Sequence, residues 1–111
     1  MINLAAGKCV ACRAGEPTLT GAEIEDLLLH ANEWQVKEVE EMKRLEKVFK
    51  FKNFAQPLEF TNKIGAIAEE QGHHPLIITR YGRVTVNWWT HKIKGSHQND
   101  FIMAAKIDQL L

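Results

Sequence analysis

The feature that most constrains this chain is the switching of its hydrophobic spacing between a period of two and a helical period. Over residues 34–39 and 42–52 the period is two, with Leu45, Phe49 and Phe51 set against Glu46, Lys50 and Lys52, which predicts two antiparallel strands. Lys37, Glu38, Glu40, Glu41, Lys43 and Arg44 then fall at the solvated ends of that hairpin. A helix follows, starting after the capping candidate Asn53 or one turn later with Pro57 in its first position. It runs to about Gln71 and buries Phe60, Ile64 and Ile67, and Gly72 supplies the residue that can end it in left-handed geometry. Two more strands are expected over 76–81 and 84–90, joined by a turn at Tyr81-Gly82-Arg83. After Gly95-Ser96 a last helix runs to Leu111, with Phe101, Ile102, Ala105 and Leu110 as apolar candidates.

Ahead of this alternation, Thr20 and Glu23 have the spacing of a capping box. The helix they open carries Ile24, Leu27, Leu28 and Ala31 on one stripe and ends near Asn32. The order helix, then β-β-α-β-β-α, argues for an α+β fold: a four-stranded antiparallel sheet with three helices packed on one face. Residues 1–18 hold Gly7, Gly15 and Pro17 without a hydrophobic period and read as an irregular N-terminal arm, leaving 19–111 as a single domain.

Composition narrows the function. A chain of 111 residues, 45% hydrophobic, can bury one core and no second one. Fourteen basic and fourteen acidic residues balance to zero, so the electrostatic excess that carries direct nucleic-acid or anionic-membrane binding is lacking. No apolar run reaches the ~18 residues of a membrane span and the start has too short an apolar stretch for a secretory signal, so a cytoplasmic protein is expected. Cys9 and Cys12 form a lone CxxC without further zinc ligands at short spacing or a strand-to-helix context, and read as two reduced thiols.

The histidines carry more information. Of His30, His73, His74, His91 and His97, three surround the second predicted hairpin, whereas His30 lies in the last turn of the first helix as a solvated or dipole-favouring residue. If that hairpin is centred on Gly82, Leu76 pairs with Trp88 and Ile78 with Val86 on an apolar face. Thr79 with Thr85, Ile77 with Asn87, Pro75 with Trp89 and His73 with His91 then occupy the other. Two imidazoles would meet at the open end of the hairpin, next to His74 and an exposed Trp89. Because the imidazole pKa, ~6.5, allows one ring to donate and another to accept a proton near neutrality, this is a candidate proton-transfer site. Glu69, four residues before His73, and Asp100, in the first turn of the last helix, can each hold a ring nitrogen and set its tautomer. Three imidazoles also suit zinc, although adjacent His73 and His74 in extended chain point to opposite faces and would not easily share one ion.

The run Glu69-x-x-x-His73-His74-Pro75, followed by Tyr81, His91 and Asp100, closely resembles the pterin-4a-carbinolamine dehydratase family. The likeness extends from about Thr20 to the C-terminus, includes LEKVFKFKNF and NDFIMAA, and excludes the arm with Cys9 and Cys12. It implies the same α+β fold and homo-oligomers, as dimers with shared sheets or as tetramers. It implies dehydration of 4a-hydroxytetrahydrobiopterin to the quinonoid dihydropterin, recycling the pterin of aromatic amino-acid hydroxylases such as phenylalanine hydroxylase. The pterin is then substrate, with no cofactor and no metal. On this resemblance His73 and His91 are the acid and base groups, His74 orients the pterin, Glu69 and Asp100 support the rings, and Trp89 lines the pocket. Backbone groups of His73, His74 and Pro75 and of Trp89, Thr90 and His91 would bind the pterin edge. The alternative is a non-catalytic dimerisation or regulatory binding protein of the same family, since some members resemble transcriptional coactivators.

Overall fold

A computed structural model of the protein describes residues 20–29, 33–40, 42–90 and 98–111. The arm over 1–18, with Cys9 and Cys12, lies outside these residues, as do His30, Ala31, Glu41, His91 and His97. Along the chain run α1 (Gly21–Leu28), β1 (Gln35–Val39), β2 (Met42–Lys50), α2 (Ala55–Gln71), β3 (Leu76–Arg80), β4 (Arg83–Trp88) and α3 (Gln98–Asp108). The strands form an antiparallel sheet in the order β1-β2-β4-β3, so the α+β fold expected from the alternating periods is present.

The helix starts follow local chemistry. Thr20 donates its N–H to Glu23 Oε1 at 2.9 Å and accepts from the Glu23 N–H at 3.2 Å, completing the capping box. The backbone hydrogen bond from Thr20, with the side-chain bond adding to it, holds the Glu23 carboxyl below its usual 4.5. A lowered folded-state value stabilises the fold above the unfolded value and loses that contribution as pH falls through the folded one. The difference in urea midpoint between wild type and Glu23→Gln at neutral pH is therefore expected to shrink at about pH 3; an unchanged difference would show that the carboxylate contributes nothing as an ion. At α2, Asn53 Oδ1 accepts from the Gln56 N–H at 2.8 Å, which places Pro57 in the first turn, though not at its first position.

The helices cover one sheet face. Leu45 and Phe49 of β2 and Val84, Val86 and Trp88 of β4 are buried there under Ile64 and Phe60 of α2, Phe101, Met103 and Ile107 of α3, and Ile24 and Leu27 of α1. At about 1.5–3 kcal/mol for each large apolar side chain removed from water, this layer dominates the stability. An exposed pair such as Lys63–Glu59, at 3.6 Å, adds a few tenths. One inward position is not apolar. Lys47, between Leu45 and Phe49, reaches Asp108 at 2.8 Å, and the Trp34 Nε1–H donates to the other oxygen of that carboxylate at 3.0 Å.

The second hairpin departs from the expected register by one residue. Leu76 pairs with Asn87, Ile77 with Val86, Ile78 with Thr85 and Thr79 with Val84, around a two-residue turn Tyr81-Gly82. Ile77 and Thr79 therefore face the helices, while Leu76 and Ile78 lie on the open face, 40% and 50% exposed. The cause is visible at the turn end of the strand. Thr61 of α2 and Thr79 share a hydrogen bond of 2.6 Å, which satisfies an inward hydroxyl. Gly82 takes a φ of 73°, donates to the Asn53 carbonyl and accepts from the Phe51 N–H, locking the turn to the end of β2.

Candidate active site

The centre of the site is built by the end of α2. Gly72, at φ 65°, donates to the Glu69 carbonyl, and the His73 N–H reaches back to the Ala68 carbonyl at 3.2 Å. This paired closure fixes the backbone on which His73 stands and starts β3 from a defined point. The His73 ring stacks on Trp88, with centroids 5.5 Å apart and planes 11° from parallel. Trp88 is fully buried, and among the described residues its Nε1 has no hydrogen-bond partner.

Asp100, in the first turn of α3, is also fully buried. One of its oxygens lies 2.6 Å from His73 Nε2, and the other accepts the Thr90 hydroxyl at 3.1 Å. An ionised carboxylate only accepts, so His73 must carry its proton on Nε2 when neutral, leaving Nδ1 with the lone pair. His74 repeats this arrangement at the surface, its Nε2 lying 2.7 Å from Glu69 Oε1. The two pairs differ in solvation: His73 and Asp100 are 12% and 0% exposed as side chains, His74 and Glu69 57% and 80%. The first pair holds a defined geometry, whereas the second is weakened by water.

Several sequence expectations are changed here. Glu69 holds His74 and not His73, because the left-handed Gly72 turns the chain before His73 and helical spacing no longer applies. Asp100 is the residue that holds His73. Trp89 is half-buried, with Arg44 Cζ 4.0 Å above its ring, and so is not the exposed tryptophan expected at the sheet edge. Continuing the observed register past its last ladder pair brings Thr90 opposite His73, and Asp100 bridges the two; His91, expected in that position, lies outside the described residues. Pro75 follows the histidine pair in extended chain leading into β3. Tyr81, part of the sequence motif, sits 70% exposed at the far hairpin tip, its hydroxyl on the Lys52 carbonyl, remote along the strand from the histidines. Among the described residues no three His, Cys, Asp or Glu side chains converge as metal ligands, and no helix is long and apolar enough to cross a membrane.

On a sheet covered by helices on one face, the site sets one imidazole on a buried carboxylate and the next residue's imidazole on an exposed one, groups of a type able to give and take protons near neutrality. Residues 17–110 match the family described as Pterin 4 alpha carbinolamine dehydratase, and the chain belongs to that family. It is 57% identical over 111 residues to a Nitrosococcus oceani protein named "Putative pterin-4-alpha-carbinolamine dehydratase", spanning all of this chain and 98% of that one. A Syntrophotalea carbinolica protein of the same name is 50% identical, over all of this chain and 99% of its own length. Among solved structures, a transcriptional coactivator/pterin dehydratase from Brucella melitensis superposes with a TM-score of 0.77 at 31% identity, over 85% of this chain and 98% of that one. A pterin dehydratase-like protein described as a RuBisCO assembly factor in the alpha-carboxysome gives a TM-score of 0.60 at 26% identity, over 73% of this chain and 92% of its own.

Proposed function

We propose that this protein dehydrates a 4a-hydroxytetrahydropterin by histidine acid/base catalysis. The observation that carries the reading is the buried Asp100 on His73 Nε2, which leaves one nitrogen of defined orientation, Nδ1, to exchange a proton. The reaction breaks the C4a–O bond and removes the N5 proton, and a C4a=N5 double bond forms. The hydroxyl takes a proton as it departs and leaves as water, so the step needs no oxidant or reductant. Hydroxide is a poor leaving group, and a protonated imidazole delivering that proton lowers the barrier most.

In this reading His73 and His91 serve as acid and base, and His74, steadied by Glu69, orients the pterin. Backbone groups of His73 to Pro75 and of Trp89 to His91 meet the pterin edge, with Trp89 along the wall. The natural setting is a cytoplasmic homodimer or homotetramer that recycles the pterin of an aromatic amino-acid hydroxylase, such as phenylalanine hydroxylase. The test is the breakdown of enzymatically generated 4a-hydroxytetrahydropterin by the purified full-length protein, with and without a chelator. Acceleration that the chelator does not touch is the expected result. Activity lost to the chelator would assign the histidines to zinc instead. A second reading, a regulatory protein that works by binding a partner, is favoured by the coactivator and assembly-factor descriptions of the two structural relatives. An inactive wild-type protein that associates with a partner would establish it.

A further inference from the structure

We infer that Thr90 is a positioning residue for the reaction, acting through Asp100 on His73 and not through the substrate; this rests on the dehydratase reading above. Thr90 is 2% exposed, and its hydroxyl is committed to Asp100 Oδ2 at 3.1 Å while His73 occupies Oδ1 at 2.6 Å. Asp100 has no exposure to water, so each of its oxygens must be matched by a protein donor. Two donors on opposite oxygens fix the plane of the carboxylate, and with it the direction along which His73 Nε2–H is held. Trp88 supports the ring from its face, 5.5 Å away, but a stacked ring leaves it free to turn in its own plane. The in-plane angle, and therefore the aim of Nδ1, is set by Asp100, whose own angle is set in part by Thr90.

The arrangement is also economical in sequence. Thr90 lies two residues past β4 and Asp100 in the first turn of α3, so the hydroxyl ties the strand that carries Trp88 to the helix that carries the carboxylate. Loss of the hydroxyl takes one donor away from a buried carboxylate oxygen. The angle of the carboxylate is then held less firmly, and the preference of His73 for Nε2–H over Nδ1–H weakens. A neutral ring in the second tautomer presents at Nδ1 an N–H that has no lone pair to accept a proton and is too weak an acid to donate one.

The test compares wild type with Thr90→Val, which keeps the shape and removes the hydroxyl, and Thr90→Ser, which keeps the hydroxyl. Thr90→Val is expected to lower kcat about tenfold, the scale on which one hydrogen bond to a charged group acts, and to change KM less than about twofold. Thr90→Ser restores most of kcat. A KM that rises while kcat is kept would make Thr90 a substrate contact, and equal impairment of the Val and Ser variants would make its role packing; either overturns the proposal. Ring nitrogen resonances of His73 in the 15N-labelled, substrate-free protein give an answer that does not depend on turnover. Wild type and Thr90→Ser should hold the Nε2–H form and Thr90→Val a mixture, whereas an unchanged tautomer in Thr90→Val overturns the inference. Wild-type protein with no dehydratase activity would instead defeat the functional reading, leaving the tautomer measurement to decide the role of Thr90.

Discussion

Replacing His73 by alanine is expected to lower kcat for carbinolamine dehydration by about 10²-fold or more, the contribution of a positioned general acid or base. The apolar layer of Leu45, Ile64, Val86 and Phe101 stays in place, but the fully buried Asp100 loses its donor on one oxygen, so the variant should also lose stability. Stopped-flow decay of the carbinolamine, alongside a urea unfolding curve, separates the two effects. His91→Ala should cause a comparable loss, and dehydration unchanged in both variants would remove the two rings from the chemistry.

Asp100 gives the second large effect, and here stability and activity move together by design of the site. Asp100→Leu removes the acceptor of both His73 and Thr90 from a position without water, and should destabilise the protein by about 3 kcal/mol, as breaking a buried charged network does. Asp100→Asn keeps the shape and one carbonyl oxygen. If its amide turns toward His73, the ring must accept at Nε2 and carry its proton on Nδ1, so kcat should fall about 10²-fold in a protein that still folds, by the tautomer logic of catalytic triads. An Asn variant with wild-type kcat would mean that the carboxylate serves only the fold.

Much of this architecture is legible from residue spacing. Thr20 and Glu23 cap α1, Gly72 ends α2 in left-handed geometry, and Phe60, Ile64, Phe101 and Ile102 are buried. These features depend on neighbours within a turn or two, where local chemistry suffices. The register of the second hairpin is different, because β3 has apolar residues at both parities. Leu76 and Ile78 compete with Ile77 for the core, and the choice is made by a hydroxyl pair, Thr61 and Thr79, that no local pattern contains. Lys47 is similarly opaque, since its inward position is supported by Asp108, a partner 61 residues further on.

Within the site, the residue types were readable and their pairing was not. Glu69 and Asp100 both hold imidazoles, but helical spacing assigns Glu69 to His73, whereas the turn at Gly72 gives it His74. The near-total burial of Asp100 and Thr90 follows from how α3 packs against the end of β4, a tertiary fact. The likeness of the motif to the family carried further than any of these spacings, and the family match over residues 17–110 agrees with it.

The bond between His73 and Asp100 spans 27 residues and joins the entrance of an edge strand to the last helix. Between them the chain must complete a hairpin and dock α3 before the bond can close. A chain that has its first hairpin and α2 but lacks docked α3 carries the histidines of the motif without the carboxylate that orients His73. The aim of His73 therefore depends on α3 being in place, so a copy cut before Asp100 would keep the imidazole and lose the carboxylate that directs it.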